Sequence, residues 1–169
     1  MFDHPVPEEL LKHIGDIIVS FAYLESFSQS FIGSLINEHQ RIGQIITAEL
    51  SFKQLRALLI GLYKERHGED DDFQILKKLM ERAEKIEGTR NNITHSIWGT
   101  GNDPNNVTRL KKTVKGKHGI RVQSEKFTAD TLKAVATEIK CIGGELVKLK
   151  LELLEKGKVV NNPTRKQWP

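Results

Sequence analysis

Apolar side chains recur at Leu10, Ile14, Ile17, Phe21, Leu24, Phe27, Phe31 and Leu35 in alternating steps of three and four, the spacing of one stripe along a helix. The pattern predicts a long amphipathic helix over residues 8–37. Pro7 suits its first position, and Glu8 and Glu9 complement the positive end of its dipole. A short apolar stretch at Ile42, Ile45 and Ile46 follows, and then Ser51 with Gln54 three residues on, which reads as a capping box. From there Leu55, Leu58, Leu59 and Leu62 carry a second helix to a stop at Gly68. Acidic residues 69–72 open a third stripe, formed by Phe73, Leu76, Leu79 or Met80, Ala83 and Ile86. Ile93 and Ile97 continue the apolar pattern past Gly88 and predict a further helix or a kinked extension over 89–98, ending near Gly99.

Between Val107 and Phe127 the period shortens to two. Leu110, Val114, Ile120 and Val122 can share one face while Arg109, Lys111, Lys115 and Arg121 project from the other. This predicts a β-hairpin over 107–127 with its turn bracketed by Gly116 and Gly119. Thr128 then caps a last helix, whose Leu132, Val135, Ile139, Ile142, Leu146, Leu149 and Leu153 keep the helical spacing up to Gly157. The expected fold class is all-α, an antiparallel bundle of four to five helices with a β-hairpin inserted before the last helix. One domain spans 1–157, and the aperiodic tail at 158–169 is expected to be flexible. The two longest helices carry more apolar surface than so small a domain usually buries, which argues for a second copy.

Length and composition change this picture little. The 169 residues suit a single domain, and 38% hydrophobic against 28% charged residues fits a soluble globular chain. No apolar run approaches the roughly 20 residues of a membrane span, and the first residues lack a secretory pattern, so no membrane partner is expected. The lone Cys141 excludes an internal disulfide, and a reducing, cytoplasmic location is expected. Charge is more informative. The total is +4, yet residues 109–126 hold seven Lys or Arg against Glu125 and sum to +6, leaving the remainder at −2. Arg109, Lys111, Lys112, Lys115 and Arg121 are therefore the candidate nucleic-acid contacts, able to engage phosphates without reading sequence. The alternative is an edge hairpin protected from aggregation by its lysines.

No cofactor or metal is expected: phosphate-binding glycine loops, histidine pairs at metal spacing and nucleophile elbows are all missing from the sequence. One segment carries chemistry, the string Arg90-Asn91-Asn92-Ile93-Thr94-His95-Ser96-Ile97-Trp98-Gly99. On a helix Asn91 and His95 share a face with Arg90 on its edge. An imidazole can move the proton of a 2′-hydroxyl or of a leaving 5′-oxygen. A guanidinium can stabilise charge on pentavalent phosphorus, and Asn91 can orient the imidazole or hold a phosphate oxygen. One His cannot be base and acid in the same step, so this chemistry also calls for two copies. The alternative reading is structural, with Arg90 a surface cation, Asn91 a local cap and His95 a positive group near a helix C-terminus.

In this string the chain resembles the HEPN superfamily of all-helical domains, marked by Arg, a polar residue and a His after four to six intervening positions. Here Arg90, Asn91 and His95 fit with the shortest spacing. The resemblance implies a metal-independent RNA endonuclease of the toxin, phage-defence or RNA-processing type. Its site would be assembled at a homodimer interface, with RNA as substrate and an antitoxin or other protein as a further partner. Some members bind nucleotides or serve as scaffolds without cutting, so a non-catalytic RNA-binding or adaptor module is the alternative.

Overall fold

The computed structural model describes residues 4–36, 40–100, 106–115 and 119–160. Within these the chain is mostly helical, with five helices and a small antiparallel sheet: α1 (Glu8–Ile36), α2 (Gln40–Thr47), α3 (Phe52–His67), α4 (Asp71–Thr94), β1 (Ile97–Thr100), β2 (Asn106–Lys115), β3 (Gly119–Thr128) and α5 (Ala129–Glu155). None of the helices is long and apolar enough to cross a membrane.

The helix boundaries follow from local chemistry. The Pro7 carbonyl accepts the first bonds of α1, from the backbone N–H of Leu10 and Leu11. Ser51 and Gln54 form the expected reciprocal capping box of α3, and Gly68 ends that helix at φ 75°. Asp70 caps α4, its carboxylate accepting from the Phe73 backbone N–H at 2.8 Å. Thr128 caps α5, accepting from the Thr131 N–H at 3.2 Å. At the other end of α5, Gly157 adopts φ 67°. There Lys158 N–H reaches the Leu153 carbonyl and Gly157 N–H the Leu154 carbonyl, the bond pair of a Schellman motif.

Two compact units emerge from the contacts. The first comprises Met1–Phe21 and Ile86–Ile139, the second Ala22–Lys85 and Lys140–Pro169. In the second, Leu24, Phe31, Leu35, Leu55, Leu59, Leu76, Met80, Leu146 and Leu153 of the stripes read from the sequence are fully or almost fully buried, while on α3 Tyr63 is buried and the expected Leu58 and Leu62 are half-buried. Gly43 of α2 lies so close to α1 that a Cβ there would stand 3.0 Å from the Gly33 Cα. Helix α2 has no counterpart among the elements expected from the sequence; its Ile42, Ile45 and Ile46 are exposed.

In the second unit the Schellman reversal also turns the chain back. Val159 is buried, the Val160 N–H bonds to the Ser34 carbonyl, and the Lys158 ammonium lies 2.6 Å from the Asp70 carboxylate and 2.7 Å from that of Asp72. The tail expected to begin at 158 is thus docked as far as Val160; residues 161–169 lie outside the described residues. Cys141 is exposed. His67 sets its ring 5.0 Å from that of Tyr63 and buries Nε2 without a hydrogen-bond partner among the described residues.

The first unit holds the larger departures. Helix α4 runs through Gly88 without a break and stops at Thr94, and Ile97–Thr100, where the helix was expected to continue to residue 98, forms a strand. The hairpin is therefore two-thirds of a three-stranded sheet of order β1-β2-β3. Its turn at 116–118, including Lys117 and His118, lies outside the described residues, as does the loop at 101–105.

Candidate functional site

In the rows of the sheet whose burial is described, from Ile97 to Arg109 and at Val122 and Phe127, the covered side is the one expected to face outward. Register places Trp98, Arg109 and Glu125 in one row and Thr100, Val107 and Phe127 in the next of the same parity. Val107, Arg109 and Phe127 are buried, whereas Ile97 and Val122 are 59% and 57% exposed. The alternation read from the sequence is kept, and only the side that is covered differs, which brings a guanidinium into the covered row.

Arg109 is accommodated there by four contacts. One terminal nitrogen meets the Glu125 carboxylate at 2.6 Å. The other donates to the Ser96 hydroxyl at 3.4 Å and the Asn92 carbonyl at 3.5 Å, and the guanidinium carbon lies 6.0 Å from the centre of the Phe127 ring. Of the five candidate phosphate contacts, Arg109 is thus an internal group and not an outward cation. Lys111, Lys112, Lys115 and Arg121 take their places in the strands, opposite Gln123, Val122, Gly119 and Thr113 respectively; their side chains lie outside the described residues.

Arg90 and Asn91 occupy the last turn of α4, and His95 follows one turn on, its N–H bonded to the Asn91 carbonyl at 3.1 Å. A helix leaves its last four carbonyls without intrahelical partners, and here the segment after the helix serves three of them. His95 N–H meets Asn91, the Ser96 hydroxyl together with Arg109 meets Asn92, and the Trp98 indole N–H meets Ile93 at 3.1 Å. The Thr94 hydroxyl adds a bond to the Arg90 carbonyl at 3.1 Å. Trp98 also sets its ring edge-on to Phe127, 5.5 Å between centres, which anchors it to the sheet. Ile93 is fully buried.

These contacts divide the string by function. Ile93, Thr94, Ser96 and Trp98 hold the helix end and the turn into β1. Arg90, Asn91 and His95 keep side-chain chemistry to spare. The Arg90 guanidinium donates to the Asn91 side-chain carbonyl at 2.9 Å, lies 4.8 Å above the Phe21 ring, and buries Nε with no partner among the described residues. A cation over an aromatic face gains from the ring quadrupole. Asn91 is consequently oriented toward Arg90, and its amide NH2 is the end left to donate. The His95 imidazole is exposed. The role of Ser96, Trp98 and Arg109 as caps had one visible signal, the positions of a serine and a tryptophan just beyond a helical stripe. Arg109, contributed from another strand, had none.

Among the described residues no group of three or more His, Cys, Asp or Glu is placed to hold a metal ion. No family model, curated protein or solved structure matches the chain.

Proposed function

We propose that the protein is a HEPN-like, metal-independent RNA endonuclease. It acts in the cytoplasm as a homodimer of bundle-type helical chains, in toxin, phage-defence or RNA-processing systems where an antitoxin or other protein is a further partner. The observation that carries this reading is the partition at the end of α4. The neighbouring side chains satisfy the helix terminus, and Arg90, Asn91 and the exposed His95 stand within six residues of each other with polar atoms in reserve.

The chemistry follows from those groups. One His95 takes the proton of the 2′-hydroxyl as its oxygen attacks phosphorus. The His95 of a second copy protonates the departing 5′-oxygen, giving a cyclic phosphate and a free hydroxyl. Arg90 neutralises charge on the phosphoryl oxygens, held in place by Asn91 and by the face of Phe21. Lys111, Lys112, Lys115 and Arg121 on the strands hold the backbone of the RNA by charge.

A second reading has its own support. Arg90 is partly buried and already engaged by Asn91 and Phe21, the state of a structural cation in a non-catalytic RNA-binding or adaptor module. Cleavage of RNA in EDTA separates the two. The endonuclease reading expects cleavage to persist with the chelator and to fall by roughly 10²-fold or more in His95→Ala, with folding unchanged because the imidazole is exposed. Cleavage that needs a metal, or survives in that variant, overturns it. RNA binding without cleavage supports the adaptor.

A further inference from the structure

Away from the end of α4, the second unit contains a cavity of about 250 Å³ lined by Phe27 and Ser30 of α1, by Leu146, Val147, Lys150, Leu151 and Leu154 of α5, and by Val160. Six of these eight residues are apolar. Gly143, one turn before Leu146 on α5, shapes the same wall: a Cβ at Gly143 would lie 3.4 Å from two carbons of the Phe27 ring, so the glycine lets that ring lie close to the helix.

The polar side chains of the cavity lining form a single pair. Lys150 donates from its ammonium to the Ser30 hydroxyl at 2.8 Å. No carboxylate among the described residues pairs with Lys150, although Lys158, also part-buried in this unit, holds two. An ammonium taken partly out of water is costly unless an anion accompanies it. Burial accordingly holds its pKa below the ordinary lysine value. A serine hydroxyl supplies a hydrogen bond but no charge, and an ammonium has three protons to donate.

We propose that this cavity binds a small amphipathic monocarboxylate, its carboxylate on Lys150 and Ser30 and its alkyl chain along Phe27, Leu146, Val147 and Leu154. The anionic end completes the unmatched cation by a charge-assisted bond. The apolar end replaces water against hydrocarbon. A volume of about 250 Å³ has room for a short alkyl chain with its carboxylate, and hexanoate serves as the probe. Binding here is independent of RNA cleavage.

The test uses the full chain and four probes in isothermal titration calorimetry: hexanoate, hexanol, hexylammonium and acetate. Hexanoate binds saturably at one site and at least about tenfold tighter than hexanol or acetate, while hexylammonium does not bind. Hexanoate shifts amide resonances of Phe27 and of 146–154 in heteronuclear NMR spectra. In Lys150→Met the preference for hexanoate over hexanol disappears. The wild-type ligand series decides the matter even if that variant fails to fold. Absence of saturable hexanoate binding, equal binding of hexanoate and hexylammonium, or shifts confined to other residues each overturns the proposal.

Discussion

Arg109 and Glu125 stand directly opposite each other on β2 and β3, their side chains 2.6 Å apart, with the arginine almost wholly buried and the glutamate half exposed. The pair closes the row that begins at Trp98, and the free arm of the guanidinium reaches the residues on either side of His95 that secure the end of α4. Glu125→Ala removes the carboxylate that faces a buried cation. The expected loss of stability is on the order of 1 kcal/mol, since the glutamate is partly solvated. Arg109→Met costs more and speeds amide exchange at 95–98. Urea denaturation and hydrogen exchange measure both, and unchanged exchange at 95–98 in Arg109→Met contradicts the bracing role.

The covered side of the sheet is identified by substitution on its two sides. Phe127→Ala, on the buried row beside Trp98, is expected to cost about 3 kcal/mol or more. Val122→Thr, on the exposed side, is expected to stay within about 0.5 kcal/mol. Equal costs at the two positions count against the face assignment. The comparison is read from urea midpoints at unchanged m-value.

A dependence on acid follows from the second unit. For Asp70, burial pushes the pKa upward, but hydrogen bonds from Lys158, the Phe73 N–H and Tyr63 together outweigh it and hold the carboxyl below the usual aspartate value. Hydrogen bonds from Lys156 and then Lys158 hold Asp72 low as well. Folded carboxyls with lowered pKa bind fewer protons than unfolded ones, so stability rises with pH across the interval between the lowered values and about 4. Below that interval the contribution is gone. Lys158 behaves in the opposite sense. Hydrogen bonds to Asp70 and then Asp72 raise its pKa, so its contribution is complete below the ordinary lysine range and is lost only above it. Burial, followed by the Asp70 charge, likewise pushes Tyr63 up to about 12, so the phenol keeps its proton for Asp70 through neutral pH. Asp72→Asn flattens the acid limb of a stability profile taken from pH 2 to 6; an unchanged limb removes Asp72 as its cause.

Apart from α2, which showed only a short apolar stretch, the helices were legible because each rests on a one-dimensional signal. The three-four spacing of α1, α3, α4 and α5 marks their buried stripes, and Ser51, Thr128, Gly68 and Gly157 mark ends that a short stretch of chain can satisfy by itself. The sheet was legible as alternation but not in its facing. Leu110, Ile120 and Val122 form one apolar set, Val107 and Phe127 another, and the choice between them rests on Arg109 finding Glu125 across the strand. A charged residue in the covered row is acceptable only with that partner. Ile93 and Ile97 misled for a related reason: four residues apart, they fit a helix, but the chain leaves the helix between them and Ile97 turns outward. At the candidate site the chemistry-bearing triad could be read from the string itself. The bracing by Arg109, the cation–ring contact with Phe21 and the pairing of Arg90 with Asn91 required the third dimension.

Trp98 joins the end of α4 to the sheet through its indole N–H and through the ring of Phe127. The chain has one other tryptophan, Trp168. With Trp168 replaced by Phe, the remaining indole becomes a built-in optical probe at the junction that carries His95. Its emission reports detachment of the strands from the helix end separately from the far-ultraviolet signal of the helices, so local opening beside the triad can be followed as light.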